Sequence, residues 1–257
     1  MSMPRIGYYG KLPARADFVG RRLPDAFLAR WDEWLQAALA SAELAIGGTW
    51  RRRFLSSPGW RFLMPPGVCG TSGWMGVLRP SQDAVGRCFP FLLAAELPHG
   101  WDAAALADSG NHWLRSLEQL AAASILPEFN LERLDVPLPP LPAPRIPAEG
   151  AWPRIGAAAV GLWCELPATL DVPQFLRRQQ LGPPPASIWW TGGVPGEVGG
   201  VAPGVALTGG LVTPAGFAAM VDGSWERSGW EVADPRRDAQ TGGSPAGWDA
   251  ADWDRPA

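Results

Sequence analysis

The run Phe89-Pro90-Phe91-Leu92-Leu93-Ala94-Ala95 carries no polar side chain. Side chains of a strand alternate between the two faces of its sheet. A strand that is apolar at every position therefore needs cover on both faces, which is the situation of a central strand. Proline cannot donate to the ladder, so Pro90 has to sit near the strand start or at a bulge. The chain has the material to enclose such a strand. Of its 257 residues, 47% are hydrophobic and 18% charged, a composition unlike that of disordered chains.

The other expected elements surround this one. Arg5 to Tyr9 reads as a short strand, and Gly10 to Arg22 as a loop. Pro24 suits the first turn of a helix. Phe27, Trp31, Trp34, Leu35, Ala38, Leu39 and Ala42 then recur at helical spacing, and Gly47-Gly48 ends that helix. Thr49 is expected to cap a short helix through Trp50, Phe54 and Leu55. Trp60 to Met64, Trp74 to Leu78 and Cys88 to Ala95 read as strands. Asp102 to Ser124 reads as a long helix with Leu106, Trp113, Leu117 and Leu120 on one stripe. Residues 136–154 are proline-rich and read as an extended connector. Beyond it come a strand within Ala157 to Glu165, a helix over Val172 to Leu181, a strand at Ser187 to Thr191, a weak element at Leu207 to Gly210 and a helix over Thr213 to Val221.

This order predicts an α/β fold, a mixed β-sheet with helices packed on both faces. A single domain over residues 1–225 is expected, because the later strands are too few for a sheet of their own. Residues 226–257, rich in Gly, Asp, Arg and Pro, are expected to form a disordered tail. Tryptophan is abundant, with 15 residues, and about two thirds of them are assigned to the core from the burial habits of the residue. Adjacent Trp189 and Trp190 face opposite sides of their strand, so one could serve as a binding anchor if its side is solvated.

Several function classes find no support in the residues. No apolar run reaches the roughly 18 residues that span a bilayer. Met1 to Tyr9 lacks the apolar core of a secretory signal. Cys69, Cys88 and Cys164 are sparse and odd in number, which fits a reducing compartment such as the cytoplasm. A formal net charge of −3 offers no basic field for nucleic acid. His99 and His112 are the only histidines, and no Cys pair has zinc-ligand spacing, so no metal site or cofactor is expected. Gly7-Tyr8-Tyr9-Gly10-Lys11 is a P-loop ending in outline only. Two residues rather than four separate its glycines, and Leu12 stands where a magnesium-binding hydroxyl is needed. The serine elbow G-x-S-x-G is missing. Cys69 with a histidine, or Asp83 in a cleft, leaves a hydrolase as the alternative reading. Asp32 is placed near the start of its helix, where its charge favours the dipole.

A set of charged and glycine- or proline-bounded segments remains. Gly7-Tyr8-Tyr9-Gly10-Lys11-Leu12-Pro13 leads to Asp17-Phe18 and Arg22-Leu23-Pro24. Trp31-Asp32-Glu33-Trp34-Leu35-Gln36, Pro58-Gly59-Trp60-Arg61-Phe62 and Pro66-Gly67-Val68-Cys69-Gly70 follow. Gly76-Val77-Leu78 then enters Pro80-Ser81-Gln82-Asp83 and Gly86-Arg87-Cys88-Phe89-Pro90. This order and spacing resemble the TagF (ImpM) family of bacterial type VI secretion, densely from Ile6 to Leu97 and more thinly at Ser187-Ile188-Trp189-Trp190 and at Gly209-Gly210-Leu211 leading to Phe217. Two positions depart from the family wording. Ala16 stands where glycine is usual before Asp17, and Ala84 stands between Asp83 and Arg87.

The resemblance implies a three-layer α/β sandwich. It also implies a cytoplasmic, non-enzymatic repressor that acts after translation by binding a forkhead-associated (Fha) scaffold protein. Lys11, Asp17, Arg22, Ser81, Asp83 and Arg87 are the candidate binding residues. The charges among them either pin two loops to each other or form the partner surface. Oligomeric state is not readable from the residues.

Overall fold

A computed structural model describes residues 6–97, 111–135, 159–166, 172, 187–194 and 200–233. The expected connector, most of the helix at 172–181, the first half of the helix at 102–124 and His99 lie outside the described residues.

The strands are β1 (Gly7–Gly10), β2 (Val19–Arg21), β3 (Trp60–Met64), β4 (Trp74–Arg79), β5 (Phe91–Glu96), β6 (Leu162–Glu165), β7 (Ser187–Thr191), β8 (Gly204–Thr208) and β9 (Glu231–Ala233). All nine strands among the described residues join one mixed sheet in the order β2-β1-β5-β4-β3-β7-β8-β6-β9. Every pairing is antiparallel except β6 with β9. The later strands enter the sheet through β7 on β3. The apolar run lies inside the sheet, between β1 and β4. Its strand begins at Phe91, so Pro90 precedes the ladder. Cys88, expected in the strand, instead makes an isolated bridge with Gln82.

The helices are α1 (Asp25–Ile46), α2 (Trp50–Ser56), α3 (Asn111–Ser124) and α4 (Phe217–Asp222). Alternation along the strands divides the buried side chains into two clusters. Met75 and Val77 of β4 join Trp113, Leu114, Leu117 and Ala121 of α3 in one. Trp74 and Leu78 of the same strand join the buried stripes of α1, α2 and α4 in the other. The α1 stripe follows the expected spacing: Phe27, Trp31, Trp34, Leu35, Ala38 and Ala42 are buried, and Leu39 is only partly buried. Gly47 ends the helix at φ 69, a conformation that favours glycine. Thr49 precedes α2 but makes no side-chain cap; its hydroxyl accepts from Arg53 Nε at 3.2 Å instead. Leu55 is exposed.

Every tryptophan among the described residues is buried. Trp189 belongs to the second cluster and Trp190 to the first. Both faces of β7 are therefore covered, and neither ring is a surface anchor. Trp225 and Trp230 are buried as well, which corrects the expected start of the tail. Trp225 stacks on Trp163 with ring centroids 3.9 Å apart, Trp230 Nε1 donates to Gly216 O at 3.0 Å, and β9 then pairs with β6. Ordered structure thus runs through Ala233, and residues 234–257 lie outside the described set.

Buried indoles differ in whether their N–H is satisfied. Trp34 Nε1 donates to Val212 O at 2.5 Å, whereas Trp31 Nε1 has no hydrogen-bond partner among the described residues. Truncation to phenylalanine removes ring volume at both positions but orphans a buried carbonyl only at Val212. Trp34→Phe should therefore destabilise by about 1 kcal/mol more than Trp31→Phe. Urea unfolding of the two variants checks this, and equal midpoints would contradict it.

Candidate functional site

Two loops meet beyond the ends of β1 and β4. The first follows β1. Gly10 has φ 137, and a Cβ there would lie 2.1 Å from Pro90 O. Only glycine lets β1 come that close to the entry of β5. The chain then places Leu12 in the first core cluster and turns through Arg15 N–H to Leu12 O at 2.9 Å.

The second loop is a closed turn between β4 and β5. Phe89 N–H donates to Ser81 O at 3.0 Å, Asp83 N–H to Arg87 O at 3.1 Å and Gly86 N–H to Asp83 O at 3.0 Å. Asp83 organises it from within. Its Oδ1 accepts the backbone N–H groups of Val85 at 3.1 Å and Arg87 at 2.9 Å. Its Oδ2 accepts from Arg87 Nε at 2.6 Å and Lys11 Nζ at 3.0 Å. Ser81 Oγ donates to Lys11 O at 2.7 Å, Ala84 N–H to Arg15 O at 2.8 Å and Arg87 Nη2 to Ala16 O at 2.6 Å. The loops are latched by side chain and backbone together.

Asp83 is 1% exposed and Lys11 7%. Burial alone pushes the Asp83 carboxyl up. The Arg87 backbone N–H, the Lys11 ammonium and the Arg87 guanidinium outweigh it and hold the group well below the ordinary carboxylate range. A buried anion with four donors is stable where an unpaired one is not. Phe18 covers the pair from outside: Lys11 Nζ lies 5.0 Å from its ring centroid. Phe18 in turn stacks on Tyr9 at 5.4 Å and meets Phe89 edge-on at 4.8 Å. Even so, it remains 47% exposed, and Val85 of the second loop is 68% exposed.

Of the six candidate residues, Lys11, Ser81, Asp83 and Arg87 come together here. Asp17 sits on the rim of the same loop pair, exposed and in no ion pair among the described residues. Arg22 does not join them. Its Nε donates to Ile6 O at 2.6 Å and its Nη2 to Leu134 O at 2.8 Å, while Nη1 pairs with Asp135. Arg21 shares that carboxylate at 2.9 Å. Arg22 is also the single non-glycine residue at positive φ among the described residues, at 63°. Ala16 is not at positive φ, so the missing glycine leaves no backbone strain.

Two further partners had no signal in the spacing of the chain. Asp135 receives Arg21 and Arg22 from over a hundred positions away. Asp32 accepts from Tyr9 Oη at 2.7 Å and from Gln36 Nε2 at 2.5 Å. It stands seven residues into α1 rather than in the first turn, so it ties the helix to β1 instead of serving the dipole. Burial, then that hydrogen bond and charge, raise the Tyr9 phenol above its ordinary range.

The groups of the alternative hydrolase reading are placed unfavourably for it. Cys69 is buried within the second cluster, and burial pushes its thiol up to about 12 with only a partial offset from Arg30. A protonated thiol is a poor nucleophile. The Asp83 carboxylate already holds four donors. Among the described residues there is no cluster of three or more His, Cys, Asp and Glu that could hold a metal ion.

A mixed sheet, helices and a latched loop pair with an exposed rim define an α/β protein that presents loops on a rigid scaffold. The chain belongs to the TagF family: residues 7–140 match the TagF N-terminal domain, which is associated with the type VI secretion system. All six candidate residues fall within that span. The fold is also that of PA0076 from Pseudomonas aeruginosa PAO1, whose crystal structure superposes with a TM-score of 0.64 at 29% identity, covering 85% of this chain and 94% of that one. The comparison with curated proteins gave no match.

The latch predicts coupled stabilities. Lys11→Met leaves Asp83 buried with its other donors, and Asp83→Leu leaves a buried ammonium. Each should cost about 3 kcal/mol, and the double variant less than their sum. Additive losses in denaturant unfolding would show that the two groups are not coupled.

The sign with pH follows from the depressed carboxyl. Its stabilisation is full above the ordinary carboxylate range and is lost as pH falls through the folded value. The unfolding midpoint of the wild type should thus fall between about pH 5 and pH 2, and more steeply than that of Asp83→Asn. Parallel profiles would remove Asp83 from the acid response.

Proposed function

We propose that this protein is a non-enzymatic repressor of type VI secretion that acts in the cytoplasm by binding a forkhead-associated scaffold protein. Family membership over residues 7–140 supports the link to type VI secretion. The observation that carries the binding reading is the exposed rim of the latched loops. Phe18 and Val85 present apolar surface that the fold has not covered, and Asp17 and the exposed part of Arg87 flank it. An aromatic anchor ringed by charged groups is the usual make-up of a binding hot spot. Such a rim needs a fixed shape, and the buried Lys11–Asp83 pair provides one beneath it. No described helix is long and apolar enough to cross a membrane, which is compatible with action in the cytoplasm.

The same proposal extends to the architecture. The two core clusters, one holding α3 and the other α1, α2 and α4, support a three-layer α/β sandwich. In that arrangement the sheet is the rigid middle layer, and the latched loops project from its end.

Titration calorimetry with the purified forkhead-associated protein of the same system tests the reading. Phe18→Ala and Asp17→Ala keep the buried pair, so both should fold. Phe18→Ala is expected to weaken binding by more than about tenfold. Wild-type affinity in both variants, measured per folded molecule, would sink the assignment of the rim. Absence of any binding by the wild type would sink the partner.

A further inference from the structure

A recess of about 460 Å³ opens on the sheet face that carries α3, at the same end of β4 as the latched loops. Val77 and Arg79 of β4 reach it from the sheet, since residues two apart share a face. Glu118, Gln119 and Ala122 of α3 form one wall, and the turn Ser56 to Gly59 forms another. The volume falls within the roughly 300–1,000 Å³ of small-molecule sites.

The polar groups of this recess are nearly all committed to each other. Thr191 Oγ1 donates to Gly59 O at 2.9 Å and accepts from Gly193 N–H at 3.0 Å. Ser57 Oγ donates to Phe54 O at 2.7 Å, and Ser56 Oγ to Arg52 O at 2.9 Å. The Glu118 carboxylate is taken by the fork of Arg61, through Nε at 2.8 Å and Nη2 at 2.5 Å. The Gln119 amide makes no hydrogen bond among the described residues, and Arg79 is the charged exception. It makes no ion pair among the described residues, and its Nε is buried without a hydrogen-bond partner. Burial lowers its affinity for the proton, with the Glu118 charge offsetting part of that.

A guanidinium offers only donors, so whatever satisfies Arg79 must be an acceptor. The Nε is closed off from solvent, so an oxyanion in the recess meets the terminal guanidinium nitrogens, and a planar fork matches an oxyanion best. We propose that this recess binds a small molecule through a carboxylate or phosphate group held by Arg79, with the Gln119 amide as a second donor. The recess is larger than a bare oxyanion needs, so the ligand carries an apolar body that rests against Val77, Pro58 and Ala122. This site stands on its own observations and is independent of the partner surface.

Calorimetric titration of the full chain with inorganic phosphate, phenyl phosphate and hexanoate, at matched ionic strength, tests the site. Phenyl phosphate or hexanoate should bind saturably, with a Kd of roughly millimolar or tighter, and more tightly than inorganic phosphate. Which of the two prevails tells phosphate from carboxylate. Arg79→Gln should weaken binding at least about tenfold, whereas Leu44→Ser, on the exposed end of α1, should not. No saturable binding by the wild type, or undiminished binding by Arg79→Gln, overturns the proposal. If Arg79→Gln does not fold, the Nε–Hε resonance of Arg79 in the wild type decides. Its shift on titration supports the site, and its failure to move while binding saturates overturns it.

Discussion

The placement of the motif loops depends on one carboxylate that has been taken out of water. Removing an ion from water costs several kcal/mol, and only close donors offset it. For Asp83, three of the four donors come from its own turn: the N–H groups of Val85 and Arg87 and the Arg87 side chain. These would form whether or not the first loop were present. Lys11 is different, because it comes from the other loop and brings its backbone with it. The lysine therefore converts a local turn into a joint between two segments some seventy residues apart. A compact ammonium suits that enclosed position better than a guanidinium, which would demand more acceptors than the site holds. Lys11 is the only lysine in a chain that otherwise uses arginine.

From this joint the exposure of the rim follows. With Lys11 and Asp83 tied below, Phe18 is left to lie across them. Its ring is held by Tyr9, Phe89 and the lysine, while its outer face meets solvent. Tyr9 is in turn fixed by Asp32 on α1. The chain of contacts from helix to strand to exposed ring passes through three neighbours, so the loop tip inherits the rigidity of the core.

Local periodicity carried most of the fold. The apolar run at Phe91, the strand candidate at Trp60 to Met64 and the stripe from Phe27 to Ala42 all reflect short-range geometry, and each became the expected element. Strand order could not be read, because β7 beside β3 and β9 beside β6 are pairings between distant segments. The segment after Trp225 misled for a related reason. Its glycines, arginines and acids have the composition of a loop, yet Trp225 and Trp230 insert into the second cluster and carry β9 to the sheet edge. Burial of two rings outweighed local composition there. In the site, Lys11, Ser81, Asp83 and Arg87 were legible as motif residues. Asp135, the partner of Arg22, was not, because nothing in Leu131 to Asp135 distinguishes it from an ordinary polar turn.

Spacing alone left open whether the motif charges face inward or outward, and the geometry resolves them by whether the fold supplies a partner. Lys11 and Asp83 find theirs within the chain and turn inward, as does Arg22 through Asp135. Asp17 finds none among the described residues and stays on the surface. Arg87 does both: it grips Asp83 and Ala16 O while more than half of its side chain remains in water. A change at Arg87 therefore mixes lost stability with lost surface, whereas changes at Asp17 and Lys11 separate the two. The same criterion distinguishes the paired arginines of the sheet. Arg61 has its carboxylate, but Arg79, two strand positions from Val77 on the same face, has been given none by the described fold.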